Sequence, residues 1–180
     1  LTKEGVEEAI RQVLETGRRS ERVLVVYLPD CHESIAGIIA GKVKERFYRP
    51  TLVLTDAEEG IKGSGRSIPG YNMFEELCKV GDLFTKFGGH PMAAGMSLPK
   101  ENLQRLRRQL NENCTLTGED MVEKLSIDIA MPIQYISEKF IEELKVLEPF
   151  GNGNSKPLFA EREFHVLQSQ ILGKNKNTVK

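Results

Sequence analysis

An α/β domain built on a mixed β-sheet with flanking helices, followed by a smaller β-rich segment, is the architecture this sequence predicts. Three observations predict it. Residues 23–28 and 51–55 are short apolar, β-branched runs separated by an amphipathic helical stretch at 34–47, which is a β-α-β signal. Glycine-rich strings at 60–70 and 88–95 alternate with two further helical patterns, completing a unit of about 115 residues. Beyond them the texture changes to short alternating pieces around a turn-rich LEPFGNGNSKP. The expected division is therefore 1–116 and 117–180, the second part being a linker helix and a truncated barrel-like segment.

The elements follow in order. Val6, Ile10, Val13 and Leu14 recur at helical spacing and end at Gly17. Val23 to Leu28 reads as a buried strand closed by Pro29. The next helix, about Ser34 to Phe47, places Ile35, Ile38, Ile39, Val43 and Phe47 on or near one stripe. Thr51 to Thr55 is a second buried strand. AEEGIKGSGRSIPGY suggests a hairpin or short strand, and Asn72 to Val80 a helix. FTKFGGHPMAAGMSL is expected to pass from a glycine turn into a strand at Ala93 to Leu98. A helix anchored by Leu103, Leu106 and Leu110 starts at Pro99. In the second part, Leu125 to Ala130 alternates like a half-exposed strand and Ile133 to Leu147 reads as a helix. LFAEREFHVLQSQIL reads as two short strands, with His165 at the surface.

Composition narrows the function classes. Lys plus Arg is 25 against 26 Asp plus Glu, a formal charge of −1, so any phosphate binding must come from a local patch. Cys31, Cys78 and Cys114 lie far apart with no CxxC spacing, which argues against structural zinc and for a reducing compartment. No apolar run is long enough for a membrane span, and no signal-peptide pattern is present. The chain starts inside a helical pattern without Met and stops in polar GKNKNTVK, and reads as a piece of a larger protein.

Chemistry concentrates in Gly63-Ser64-Gly65-Arg66-Ser67 and Gly88-Gly89-His90. Glycines let backbone N–H groups approach an anion, and Arg66 offers a planar fork for two phosphate oxygens. Ser64 and Ser67 carry hydroxyl donors, and His90 a ring N–H. Together they describe an anion pocket in a cleft between a sheet edge and a helix, although such strings also serve as ordinary hairpin glycines. His32 opens a helix, where polar side chains usually act as caps. Met92, Met96, Phe84 and Phe87 are read as core. No dinucleotide fingerprint, Walker loop, HExxH or GxSxG is present. The acids Asp30, Asp56, Asp82 and Asp128 are scattered, so no two-metal centre is expected on this chain.

Three ordered stretches, CHESIAGIIAGKVKERFYRPTLVL, KGSGRS and FGGHPMAAGMSL, resemble the DHH-associated domain of the DHH phosphoesterase superfamily, and within it the RecJ family. His32, Gly37-Ile38-Ile39-Ala40, Glu45-Arg46-Phe47 and Arg49-Pro50 match the first motif, whereas Cys31 and Ser34 stand where Trp and Gly are common. LEPFGNGNSKPLFA is similar to that family's lead-in to an oligonucleotide-binding (OB) fold. The resemblance implies a bacterial, cytoplasmic, single-stranded-DNA-specific exonuclease acting from the 5′ end in recombination and repair. It also implies an N-terminal DHH domain holding two Mn²⁺ or Mg²⁺ ions, a domain this chain lacks. The chain would be the substrate-binding part, inactive alone and without bound metal. Arg66 and His90 would contact phosphate, His90 not as a metal ligand, while Ser64, Gly65, Gly88 and Gly89 shape the backbone and His32 lines the cleft. Two competing functions are a small-substrate member of the superfamily, hydrolysing oligoribonucleotides, nucleoside bisphosphates or cyclic dinucleotides, and a non-catalytic nucleic-acid-binding module.

Overall fold

A computed structural model describes residues 2–163, 165–173 and 178–179, which divide into two compact units, one ending at Glu123 and one beginning at Lys124. In the first, helix α1 (Thr2–Glu15) stops at Gly17, whose φ of 71° turns the chain. Strand β1 (Leu24–Tyr27) leads into α2 (Glu33–Phe47) and then β2 (Thr51–Asp56), which lies parallel to β1 as the β-α-β pattern requires. The tight turn after β2, with Ala57 N–H donating to Gly60, reverses the chain into the antiparallel β3 (Ile61–Arg66). Helix α3 (Met73–Cys78), capped by Asn72, connects to β4 (Lys86–His90), β5 (Ala93–Leu98) and α4 (Leu103–Asn113). The sheet order is β1-β2-β3-β5-β4.

Each sheet face has its own core. On one, Leu24, Val26 and Val53 pack beneath Ala9 and Val13 of α1 and Ala36, Ile39, Ala40 and Val43 of α2. On the other, Val25, Leu52, Leu54, Ile61, Met96 and Leu98 meet Met73 and Leu77 of α3 and Leu106 and Leu110 of α4. Burying one such side chain contributes about 1.5–3 kcal/mol, and these two layers hold the sheet rigid. At the C-terminus of α2, Tyr48 adopts φ 48°, and Arg49 Nη1 donates to the Phe47, Tyr48 and Met121 carbonyls. The Arg-Pro of the first motif thus anchors a helix end.

Several expectations need correcting. Gly88-Gly89-His90 is not a turn but the end of β4; the reversal comes at Pro91-Met92. Ladder hydrogen bonds to β5, rather than strand propensity, make it a strand. Arg66 does not lie beside a sheet edge, because β3 is central and β4 forms the edge. Met92 is 41% exposed and Ile38 53%, so neither is core. Met96 is buried, and Phe84 and Phe87 pack on the core with ring centroids 5.1 Å apart. The helix foreseen from Pro99 begins with a 3-10 turn, Lys100–Asn102.

In the second unit, β6 (Ile129–Ala130) pairs in parallel with β7 (Phe159–Ala160). The strand foreseen over Leu125 to Ala130 is confined to those two residues, since only they find a partner strand. The foreseen helix Ile133 to Leu147 is broken into a 3-10 turn, α5 (Glu138–Leu144) capped by Ser137, and a second 3-10 turn. Asn154 explains the GNGN turn: its side-chain amide donates to the Leu147 and Pro149 carbonyls. β8 (Ile171–Leu172) and β9 (Thr178–Val179) form an antiparallel pair, and His165 is exposed. Part of the terminal GKNKNTVK falls outside the described residues.

Candidate nucleic-acid interface

The face covered by α1 and α2 changes character across the sheet. Alternation along β3, β5 and β4 brings Lys62, Ser64 and Arg66, then Ala93, Gly95 and Ser97, then Lys86, Gly88 and His90 to that side. Gly95 and Gly88 are opposite each other and exposed, and a Cβ on either would meet no atom within 4 Å. The result is a polar strip with a bare backbone floor, bounded by α2.

Arg66, Ala93 and His90 form one register row, so Arg66 and His90 share a face two strand spacings apart, about 10 Å along the row. Ser67 N–H, donating to the Met92 carbonyl at 2.9 Å, ties the end of β3 to the β4–β5 turn. The 24-residue gap between Arg66 and His90 in sequence is closed by α3, which returns the chain so that β4 runs parallel to β3.

Arg66 Nη1 donates to the Gly65 carbonyl at 2.8 Å, and the guanidinium rests against Gly37 of α2. Among the described residues it has no carboxylate partner, nor does Lys86, whereas Lys62 is ion-paired with Glu33 at the start of α2. Glu33, Ser34, Lys62, Ser64 and Ser97 line a shallow hollow of about 270 Å³ beside the strip. His90 Nδ1 accepts the Met92 N–H at 3.3 Å, leaving Nε2 as the N–H donor of the neutral ring. His32 is built the same way: its Nδ1 accepts the Ser34 N–H at 3.2 Å, which makes it the cap of α2. His32 lines one hollow with Lys62, at that end of the strip, and another with Gly5 and Glu8 of α1.

Of the glycines singled out in sequence, Gly88 faces the open side, whereas the buried Gly65 and the exposed Gly89 lie on the opposite face. A Cβ on Gly65 would press the Met73 thioether at 3.1 Å, and one on Gly89 would strike the Ala93 carbonyl at 2.3 Å. Ser67 is not a site donor: alternation buries it, and its hydroxyl donates to the Tyr71 carbonyl at 2.6 Å. Gly37 and Gly95 carry no site chemistry that sequence reasoning detects. The signal was a glycine inside a helix pattern and another inside a strand pattern, each locally unfavourable.

No group of three or more His, Cys, Asp or Glu side chains among the described residues is disposed to hold a metal ion. No helix among them is long and apolar enough to cross a membrane.

The DHHA1 domain family model matches residues 20–115 and the RecJ OB domain model residues 127–180. The chain is 40% identical to the single-stranded-DNA-specific exonuclease RecJ of Bacillus subtilis over 178 residues, 97% of this chain and 22% of that protein. It is 32% identical to Escherichia coli RecJ over 157 residues, 83% of this chain and 27% of that protein. The crystal structure of Thermus thermophilus RecJ in complex with Mg²⁺ superposes with a TM-score of 0.75 at 25% identity, covering 88% of this chain and 25% of that one. The chain thus spans about a quarter of the length of these relatives. It belongs to the RecJ family, within which its two parts are the DHHA1 domain and RecJ OB-domain sequence.

Proposed function

We propose that this chain is the substrate-holding part of a metal-dependent exonuclease that hydrolyses single-stranded DNA from its 5′ end in recombination and repair. The division of labour falls near residues 116–117: the first part grips the strand end, and the second is an incomplete OB-fold segment that binds nucleic acid. The observation that carries this reading is the row joining Arg66 to His90 on a sheet face with a bare glycine floor. Arg66 donates two parallel N–H bonds to phosphate oxygens, with Ser64 beside it. His90 donates from Nε2 on the opposite side of the same phosphate, and His32 lies further along the track. Lys86 adds charge that falls off with salt.

The donor set described here does not fit a pair of divalent ions, so no catalytic step is assigned to this chain. Mn²⁺ or Mg²⁺ belongs to a DHH domain elsewhere in the parent protein, and supplies there the activation of water. The same observation favours a second reading for the chain in isolation, that of a module which binds strands without cutting them. Incubating it with end-labelled single-stranded DNA and either ion is expected to release no nucleotide; release that co-purifies with the chain would overturn this assignment.

The test of the site uses the full-length parent. Arg66→Ala or His90→Ala is expected to lower catalytic efficiency by about 30-fold or more, as loss of a charged contact costing roughly 2–5 kcal/mol implies. Bound metal and melting temperature should be unchanged. Wild-type cleavage by Arg66→Ala would contradict the site.

A further inference from the structure

We infer that Gly37, which touches no substrate in the proposed site, is the positioning residue for Arg66. The inference rests on the reading of Arg66 as the phosphate fork. Gly37 lies inside α2, where glycine is less favourable than alanine. A Cβ built there would stand 2.6 Å from Arg66 Nη2, 3.3 Å from Cζ and 3.5 Å from the Ser64 hydroxyl. The backbone of α2 is thus a wall against which the guanidinium lies, while the Gly65 carbonyl holds Nη1. These two contacts restrict the plane of the fork. Any side chain at residue 37 pushes the fork out of that plane without disturbing the core, because the atom displaced is the free end of a long side chain.

This arrangement separates stability from function in sign. A glycine kept for packing gives a variant that melts lower. A glycine kept for Arg66 gives a variant that melts as high as the wild type or higher, because alanine favours the helix, yet binds anions less well. Gly41, one turn on in α2, is the control, since a Cβ there meets nothing within 4 Å.

The experiment measures binding of a short 5′-phosphorylated oligothymidylate to the full 180-residue chain by fluorescence anisotropy, together with melting temperature. The variants are Gly37→Ala, Gly41→Ala, Arg66→Ala and the Gly37→Ala/Arg66→Ala double. Gly37→Ala is expected to bind roughly tenfold more weakly, the loss of a hydrogen bond to a charged group, with no fall in melting temperature. Gly41→Ala is expected to bind as wild type, and the double variant no more weakly than Arg66→Ala alone. Wild-type binding by Gly37→Ala beside weakened Arg66→Ala would overturn the inference and leave the proposed function standing. A lower melting temperature for Gly37→Ala, or a double variant weaker than Arg66→Ala, would also overturn it. Wild-type binding by Arg66→Ala would remove the proposed site itself, and the inference with it.

Discussion

The two halves of one sheet face obey the same alternation and end with opposite uses. Over β1 and β2 the positions on this face include Leu24, Val26 and Val53, covered by α1 and α2 and fully or almost fully buried. Over β5 and β4 the corresponding positions are Ala93, Gly95, Ser97, Lys86, Gly88 and His90, and the floor is open. β3 lies between them, its Ser64 and Arg66 leaning on Gly37 of the covering helix. A β-strand pattern therefore specifies which residues share a face, and only the helix layer decides whether that face becomes core or site. The rigid half lends its rigidity to the open half, because the helix that seals one is the wall of the other.

Perturbing the covered half should give the largest effect. Ile39 is fully buried in α2, so Ile39→Ala is expected to cost about 2–5 kcal/mol in chemical denaturation. A loss under about 1 kcal/mol would mean that α2 is not held by that core.

The open half should respond in the reverse manner. Gly95→Leu fills the floor where no atom stands within 4 Å of a Cβ. Stability should stay within about 1 kcal/mol of wild type, while affinity for single-stranded DNA falls. Unchanged affinity in titrations would show that no strand crosses Gly95.

The boundary between the halves carries a smaller, salt-dependent effect. Glu33 neutralises Lys62 beside the hollow of the strip. Glu33→Gln is expected to strengthen DNA binding and steepen its logarithmic salt dependence by about one. A slope identical to wild type would place Lys62 off the strand's path.

The smallest effect belongs to the far side of the sheet. The Tyr27 hydroxyl, donating to Asp56, and then the Lys100 ammonium beside it hold the Asp56 carboxyl below its usual value. A depressed carboxyl contributes stability that is present above its unfolded pKa and lost as pH falls through its folded one. Asp56→Asn should therefore flatten the acid limb of the stability profile slightly and leave DNA binding alone. An unchanged acid limb would mean that this exposed cluster contributes nothing.

Legibility in the sequence followed the same divide. The covered half was readable because burial writes itself into composition: VLVVYL and TLVLT need hydrophobic surroundings, and α2 carries the matching stripe. The open half was harder. Gly88-Gly89 looks like a turn to local reasoning, and only pairing with β5 makes it a strand. Arg66 and His90 were visible as chemistry, but their common row depends on a strand order of β3-β5-β4 that no local pattern encodes. Ser67 looked equivalent to Ser64 until alternation buried it. Gly37 belongs to the first motif, while its contact with Arg66 exists only after α2 has docked. In the second unit, Leu125 to Ala130 alternates correctly, yet partner availability limits the strand to two residues.

The most direct test of the account is whether Arg66 and His90 act on one phosphate. A double-mutant cycle would measure binding of a 5′-phosphorylated oligothymidylate to wild type, Arg66→Ala, His90→Ala and the double variant. A shared phosphate predicts that each single change weakens binding and that the two couple by about 0.5–3 kcal/mol. The coupling should vanish when the strand carries a 5′-hydroxyl. Additive losses, or the same coupling without the phosphate, would contradict a common site.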